Sequence, residues 1–575
     1  MWGRQTPGFM RLLGDSLRSL ALFLSLAALL ASVACGGGGG SSTATITGVT
    51  MSCTPTTVES GQTSQCTATV TGTGTFINTV TWGTSAGSID STGLFTGPAV
   101  TQSTQVTITA ISNQDTTKTA STTITVNPVT AITVSCTPTV IQSLQNSQCT
   151  ATANGFTTNA VTWSSSIGVM SALGQFTAPT VSTTTTATIT ATTNVTNVTG
   201  TATVTVNVSN TVALAVDGGP TGVSNPNGAY VTATVCVPGT TTCTTIDHVL
   251  VDTGSVGLRV LSSALGGVAL TPQAASDGNP MGECYIAPAG YAWGSVALAQ
   301  VQVAGEVAAS IPVEVIAPSN FPAAPAACTS QTTGGALNSV TALQAKAIVG
   351  IGVLLQDCGT ACTTAPQSMY FSCPLAGCSP LPATIAQQVS NPVAAFPDNN
   401  GSVIQLPPLA AGSAQTAQGS LVFGIGTQSN NGLAAATIYG VNASGANAGT
   451  FTSTYSGVAY PGAISSGANA NYFLTSAITG YPACNTPGYY CPSAQQTLPV
   501  TNAGTNGTSG SVSLVVDNGD TLIQSGKFAL STLAGPGGNR TSGFVFGIPF
   551  FYGRTVFTAL NGATTPGGTG PFFAY

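Results

Sequence analysis

The sequence predicts an all-β protein: two small repeated sandwiches followed by one larger, two-part β domain. Three features carry that expectation: a strand-forming composition, an internal repeat of 83 residues, and apolar, glycine-punctuated segments in the C-terminal part. Thr, Ser, Val, Ala and Gly dominate the 575 residues. β-branched residues between Gly and Pro turns favour strands over helices. Only 4% of the chain is charged, with 9 Lys+Arg against 15 Asp+Glu and a net charge of −6. So few cations leave no basic face to neutralise phosphates, which excludes nucleic acid as a partner. The one histidine, His248, excludes multi-histidine metal sites and leaves a Ser-His-Asp triad a single candidate base.

The N-terminus reads as an export signal over residues 1–34. Arg4, Arg11 and Arg18 precede an apolar run from Leu20 to Ala34. That run is short for a spanning helix, which needs about 20 residues, and suits a signal-peptide core. It ends at Ser32-Val33-Ala34-Cys35, followed by five glycines and two serines. Small residues before a cysteine and a flexible tail after it resemble a bacterial lipoprotein signal. The resemblance implies a lipidated Cys35, membrane attachment through its acyl chains, and residence in the cell envelope, at the outer membrane. Ser32 stands where such signals usually carry leucine, so ordinary cleavage after Ala34 and secretion is the alternative. Cysteine parity favours lipidation: of 15 cysteines, Cys35 leaves 14, an even number suited to disulfides in an oxidising compartment. Residues 35–46 form a Gly/Ser linker.

The repeat spans 47–128 and 129–208. Cys53 and Cys66 are spaced like Cys136 and Cys149, and each pair is followed by VTW (Trp82, Trp163) and by GLFTGP or GQFTAP (Phe95, Phe176). Each unit then closes on a Thr/Val alternation. Short strands at this spacing, with a Trp available for the core, resemble bacterial immunoglobulin-like (Ig-like) sandwich domains. The close cysteine spacing predicts a clip between neighbouring strands. Neither repeat shows an aromatic cluster or a carboxylate-rich loop, so both read as spacers.

From residue 209 the repeat is lost. At Ile246 the chain reads IDHVLVDTGSVGLRVLSS, an apolar strand running into Asp252-Thr253-Gly254-Ser255. Such a strand sets an aspartate rigidly at a cleft floor, glycine permits the tight turn, and the hydroxyls hold the loop. This resembles the active-site loop of pepsin-like aspartic peptidases. Ile348-Val349-Gly350-Ile351-Gly352 resembles the apolar-glycine strand threaded behind that loop. GSLVFGIG (419–426) resembles the start of a second lobe, and GFVFGIPFFYGRTVFTAL (543–560) the second apolar-glycine strand and closing segment. The implied fold is a bilobal pepsin-like β domain over 209–575, with lobes of about 209–415 and 416–575. A helix is expected at 384–396 and a turn at Asp398-Asn399-Asn400-Gly401. The stretches VDTGS-GLRV, NPVA-F-DNNG, GSLVFGIGTQSNN and the PFF-GR ending also resemble domain of unknown function 3443, over roughly 212–575.

Such a peptidase needs two carboxylates sharing one proton. The expected second loop falls in YPGAISSGANANYFL, and the position expected to be aspartate is Ser465, followed by Ser466 and Gly467. A serine cannot share that proton, so the resemblance implies an incomplete dyad. Asp517, in VVDNGD, is the competing acid; it lies close to the second apolar-glycine strand and reads as a hairpin turn. Tyr291 and Trp293 fall where a flap hairpin would cover the cleft, as cleft-lining or core aromatics. His248 reads as structural, and Arg259 as pairing with an acid under the cleft.

Local clips are expected at Cys236–Cys243, Cys284–Cys328 and Cys484–Cys491. Cys358, Cys362, Cys373 and Cys378 allow three connectivities. No cofactor or metal is expected. The functional expectation is an envelope lipoprotein whose cleft binds an extended peptide or another elongated ligand without turnover, a pseudoenzyme. The alternatives are an atypical aspartic endopeptidase using Asp252 and a structural or adhesive surface protein.

Overall fold

A computed structural model describes residues 43–153, 156–157, 161–179, 181, 183–194, 196–537 and 543–575. The signal segment and Cys35 lie outside the described residues. The first strand, Thr45–Thr54, begins inside the stretch read as linker.

The first repeat is a sandwich of two four-stranded sheets. Its strands alternate, as a half-buried strand must: in Thr104–Ser112, Val106, Ile108 and Ala110 turn inward between exposed or partly exposed neighbours. The second repeat repeats the design, with Ala187, Ile189 and Ala191 inward on Thr185–Thr193. Phe95 and Phe176, both fully buried, sit in the two cores. The two tryptophans are only partly buried. Each lies against a left-handed glycine, Gly93 or Gly174, where a Cβ would press on the indole. Cys53 pairs with Cys66 and Cys136 with Cys149, each bridge joining residues directly opposite on adjacent antiparallel strands.

The chain forms two compact units, Met1–Val129 and Thr130–Tyr575. Within the second, the C-terminal domain contains the same local motif twice. Strand Cys243–Asp252 runs parallel to Ala347–Ile351, which pairs antiparallel with Val256–Leu261. Strand Val458–Ile464 runs parallel to Phe544–Phe546, which pairs antiparallel with Asn471–Phe473. Glycine marks both crossings: a Cβ on Gly350 would lie 2.5 Å from the Val256 nitrogen, and one on Gly547 would strike the Ala470 carbonyl. Six strands make a platform shared by the two halves, in the order Thr211–Asp217, Ala417–Phe423, Gly401–Leu406, Arg554–Ala559, Phe572–Ala574 and Ile438–Gly440. The GSLVF stretch therefore lies inside the joining sheet, between Thr211–Asp217 and Gly401–Leu406, and the GPFFAY ending is one of its strands.

The helix expected at 384–396 is instead two short 3₁₀ turns, Ile385–Gln387 and Pro392–Ala395. Pro392 disfavours helical backbone at Asn391, whose extended residue caps the second turn through Val393 N–H. Asp517 does not sit in a hairpin turn. Strand Ser509–Val516 ends there, and Asn518 caps a short helix, Gly519–Gln524.

Candidate functional site

The two repeated motifs end at facing loops. Cys243–Asp252 delivers Asp252, and Val458–Ile464 delivers Ser465. The next residue of each loop ties the pair together. Thr253 N–H donates to Ser466 Oγ at 3.0 Å and Ser466 N–H donates to Thr253 Oγ1 at 3.0 Å. Each hydroxyl then donates across the cleft floor, Thr253 Oγ1 to the Ile464 carbonyl (3.1 Å) and Ser466 Oγ to the Val251 carbonyl (2.7 Å). Both side chains are buried, so every polar atom in this four-bond ring is satisfied inside the protein.

On that frame, Ser465 Oγ donates to Asp252 Oδ1 at 2.8 Å. The same oxygen accepts Gly254 N–H at 2.7 Å and Gly467 N–H at 3.2 Å. Glycine is required at both places. A Cβ on Gly467 would lie 2.5 Å from Asp252 Cγ, and one on Gly254 would lie 2.5 Å from Ser465 Oγ. Asp252, Thr253, Gly254, Ser465, Ser466 and Gly467 thus form one cluster, in which Ser465 occupies the place across from Asp252. Asp517 instead accepts Gln495 Nε2 at 3.0 Å.

Of the two readings of the flap candidates, the structure favours the core one. Trp293 is buried, donates Nε1–H to the Pro322 carbonyl at 2.8 Å, and packs between Phe321 and Phe371. Tyr291 packs against the same cluster. Both are core aromatics, because their strand, Gly290–Val303, is sandwiched between other strands. The aromatic that meets the site is Tyr285, on the other arm of the hairpin, Met281–Ala287. Burial, then the Asp252 charge, push its phenol up to about 12. Its place just before the Pro288-Ala289-Gly290 turn was the available sequence signal.

Arg259 finds three acids. It is fully buried, with Glu283 at 2.5 Å, Asp357 at 2.8 Å and Glu314 at 3.2 Å, and it lies 4.0 Å beneath the Tyr285 ring. Burial raises Glu283 well above the usual carboxylate range and Glu314 to about 8, with Arg259 opposing both shifts. His248 lies within strand Cys243–Asp252, at the break in its pairing with Gly228–Cys236, its Nδ1 2.7 Å from Asp247. On the second lobe, Asn469 donates to Tyr489 Oη (3.0 Å) and accepts from Tyr472 Oη (2.6 Å), bracing the loop beyond Gly467.

The remaining cysteines are bridged as Cys236–Cys243, Cys284–Cys328, Cys358–Cys362, Cys373–Cys378 and Cys484–Cys491. The quartet therefore takes the connectivity between nearest neighbours in sequence.

Paired motifs on a shared platform, with Asp252 and Ser465 at their tips, define a pepsin-like bilobal β domain whose two facing tips carry one aspartate between them. The chain belongs to the family described as Protein of unknown function (DUF3443), whose model matches residues 206–575. Among solved structures it is similar to an aspartic proteinase from Irpex lacteus, at 15% identity and a TM-score of 0.39, covering 63% of this chain and 96% of that one. No curated protein matches the chain.

Proposed function

We propose that this chain is an envelope lipoprotein, anchored through acyl chains on Cys35, that uses Ig-like spacers to present a pepsin-like cleft. The cleft binds an extended peptide or similar elongated ligand by strand-like hydrogen bonding and side-chain pockets, and it does not hydrolyse what it binds. The observation that carries this reading is the Ser465 hydroxyl, 2.8 Å from Asp252 Oδ1. Peptide hydrolysis by an aspartic dyad needs one group to take a proton from water while the other gives one to the carbonyl. Serine supplies neither at the required acidity.

One observation favours the second reading, an atypical endopeptidase: the supporting ring of Thr253 and Ser466 and both glycine donors are intact. Digestion of casein between about pH 3 and 7, with and without Asp252→Asn, separates the two. The expected result is no cleavage by either protein, alongside binding from a peptide library. Pepstatin-sensitive cleavage that disappears in Asp252→Asn overturns the binding reading.

A further inference from the structure

We propose that the centre of this cleft is a subsite for a protonated amine, supplied by a lysine side chain or by a free peptide N-terminus. The inference rests on the peptide-binding reading and names what that site recognises.

It follows from where the hydrogens point. Asp252 Oδ1 accepts three hydrogen bonds, from Gly254 N–H, Gly467 N–H and Ser465 Oγ, and has no capacity left for a ligand. Ser465 spends its one hydroxyl proton on that bond. What the pair still offers is therefore acceptor capacity alone: Asp252 Oδ2, and the lone pairs of Ser465 Oγ. Among the described residues no protein group donates to Oδ2, and no cation pairs with Asp252. Both residues remain partly exposed.

Two carboxylates sharing a proton would face a ligand with a donor and acceptors together. The Asp–Ser pair faces it with acceptors and one uncompensated negative charge. A peptide amide brings one N–H and no charge, whereas an ammonium brings three N–H donors and the opposite charge. The nearby guanidinium does not compete: Arg259 is committed to Glu283, Glu314 and Asp357, which outnumber it. Tyr285, between that cluster and Asp252, adds a partly buried phenol and no cation.

The test measures binding of the full-length chain to three unstructured peptides by titration calorimetry. One is acetylated with a central lysine, one acetylated with norleucine at that position, and one carries norleucine with a free N-terminus. The expected result is tighter binding of an amine-bearing peptide than of the neutral one by roughly tenfold or more. That preference should disappear in Asp252→Asn while the variant keeps the wild-type melting temperature. Whichever peptide gains identifies the source of the amine. Equal binding of all three, or a preference that survives Asp252→Asn, overturns the amine subsite and leaves peptide binding standing. Failure of every peptide to bind overturns both readings.

Discussion

Replacing Ser465 by aspartate puts a second carboxylate into a seat already framed by the Thr253–Ser466 ring and by the amides of Gly254 and Gly467. Two carboxylates at that separation cannot both ionise, so one would hold the shared proton. Ser465→Asp is expected to gain pepstatin-sensitive hydrolysis on the acid side of about pH 5, at least roughly 10²-fold above wild type. A digestion assay at fixed protein concentration reads this directly, and Ser465→Asp combined with Asp252→Asn should return to background. Ser466→Ala tests the frame itself. It leaves the Thr253 N–H and the Val251 carbonyl buried without their partner, an expected loss of about 1–3 kcal/mol in urea unfolding. This much was legible in the chain, because Asp252-Thr253-Gly254 and Ser465-Ser466-Gly467 each follow an apolar strand. The turn after Tyr285 marked it only as part of a hairpin: the two arms carry aromatics at similar depth, and only the pairing register decides which faces the cleft. That register puts Cys284 opposite Trp293 and Ile286 opposite Tyr291.

The hairpin itself is held at both ends. Its base carries Glu283, paired with Arg259 of the Val256–Leu261 strand, and Cys284, bridged to Cys328. Near its tip, Gly290 and Tyr291 pair in parallel with Gly335 and Ala336, and Leu337 N–H donates to the Tyr291 carbonyl at 2.7 Å. Arg259 is the shared node, since Glu314 and Asp357 bring two further segments to it. Arg259→Met would leave three acids buried without a cation, an expected loss of about 3–5 kcal/mol by urea unfolding. The same cluster sets a pH dependence. Glu283 and Glu314 are raised by burial from an ordinary value of 4.5, Glu314 to about 8. Below about pH 4.5 folded and unfolded chains both hold these protons, and the contribution is fully present. As pH rises from there towards 8 the unfolded chain gives up its protons while the folded one retains them, so stability falls across that window. Melting temperatures measured from pH 4 to 9 should decline through it, and Glu314→Gln should flatten the decline. The sequence offered Arg259 with no partner because its three acids come from separate strands and loops. Only long-range strand pairing brings them together. The failed helix at 384–396 has a nearer cause, since Pro392 was visible and outweighs the apolar spacing around it.

In the whole molecule, the boundary drawn at 209 from the loss of the repeat falls inside a hydrogen-bonded junction. Only Val208, Ser209 and Asn210 separate strand Thr199–Asn207 of the second sandwich from strand Thr211–Asp217 of the platform. Gln142 of that sandwich donates to Gln428 Oε1 at 2.9 Å and to Asn210 Oδ1 at 3.0 Å. Gln428 in turn donates to the Val208 carbonyl at 3.3 Å and to the Asp398 carboxylate, while Asn210 donates to the Phe423 carbonyl at 2.8 Å. The DNNG stretch, read as a turn, and the GTQSNN stretch therefore meet here: Asn400 also holds Ile425 through both its backbone groups. Side-chain amides satisfy several backbone groups at once, a role that apolar periodicity cannot reveal. Two truncations test whether the second sandwich is part of this fold. A chain beginning at Thr130 keeps Gln142, whereas one beginning at Ser209 leaves Gln428 and Asn210 without it. The shorter chain is expected to lose about 1–3 kcal/mol and several degrees of melting temperature. Gln142→Ala in the longer chain should reproduce part of that loss, because it removes the same two bonds while retaining the sandwich. If the shorter chain melts where the longer one does, the sandwich contributes no stability to the domain that follows it. If it melts lower and Gln142→Ala does not, the coupling runs through other contacts of the junction.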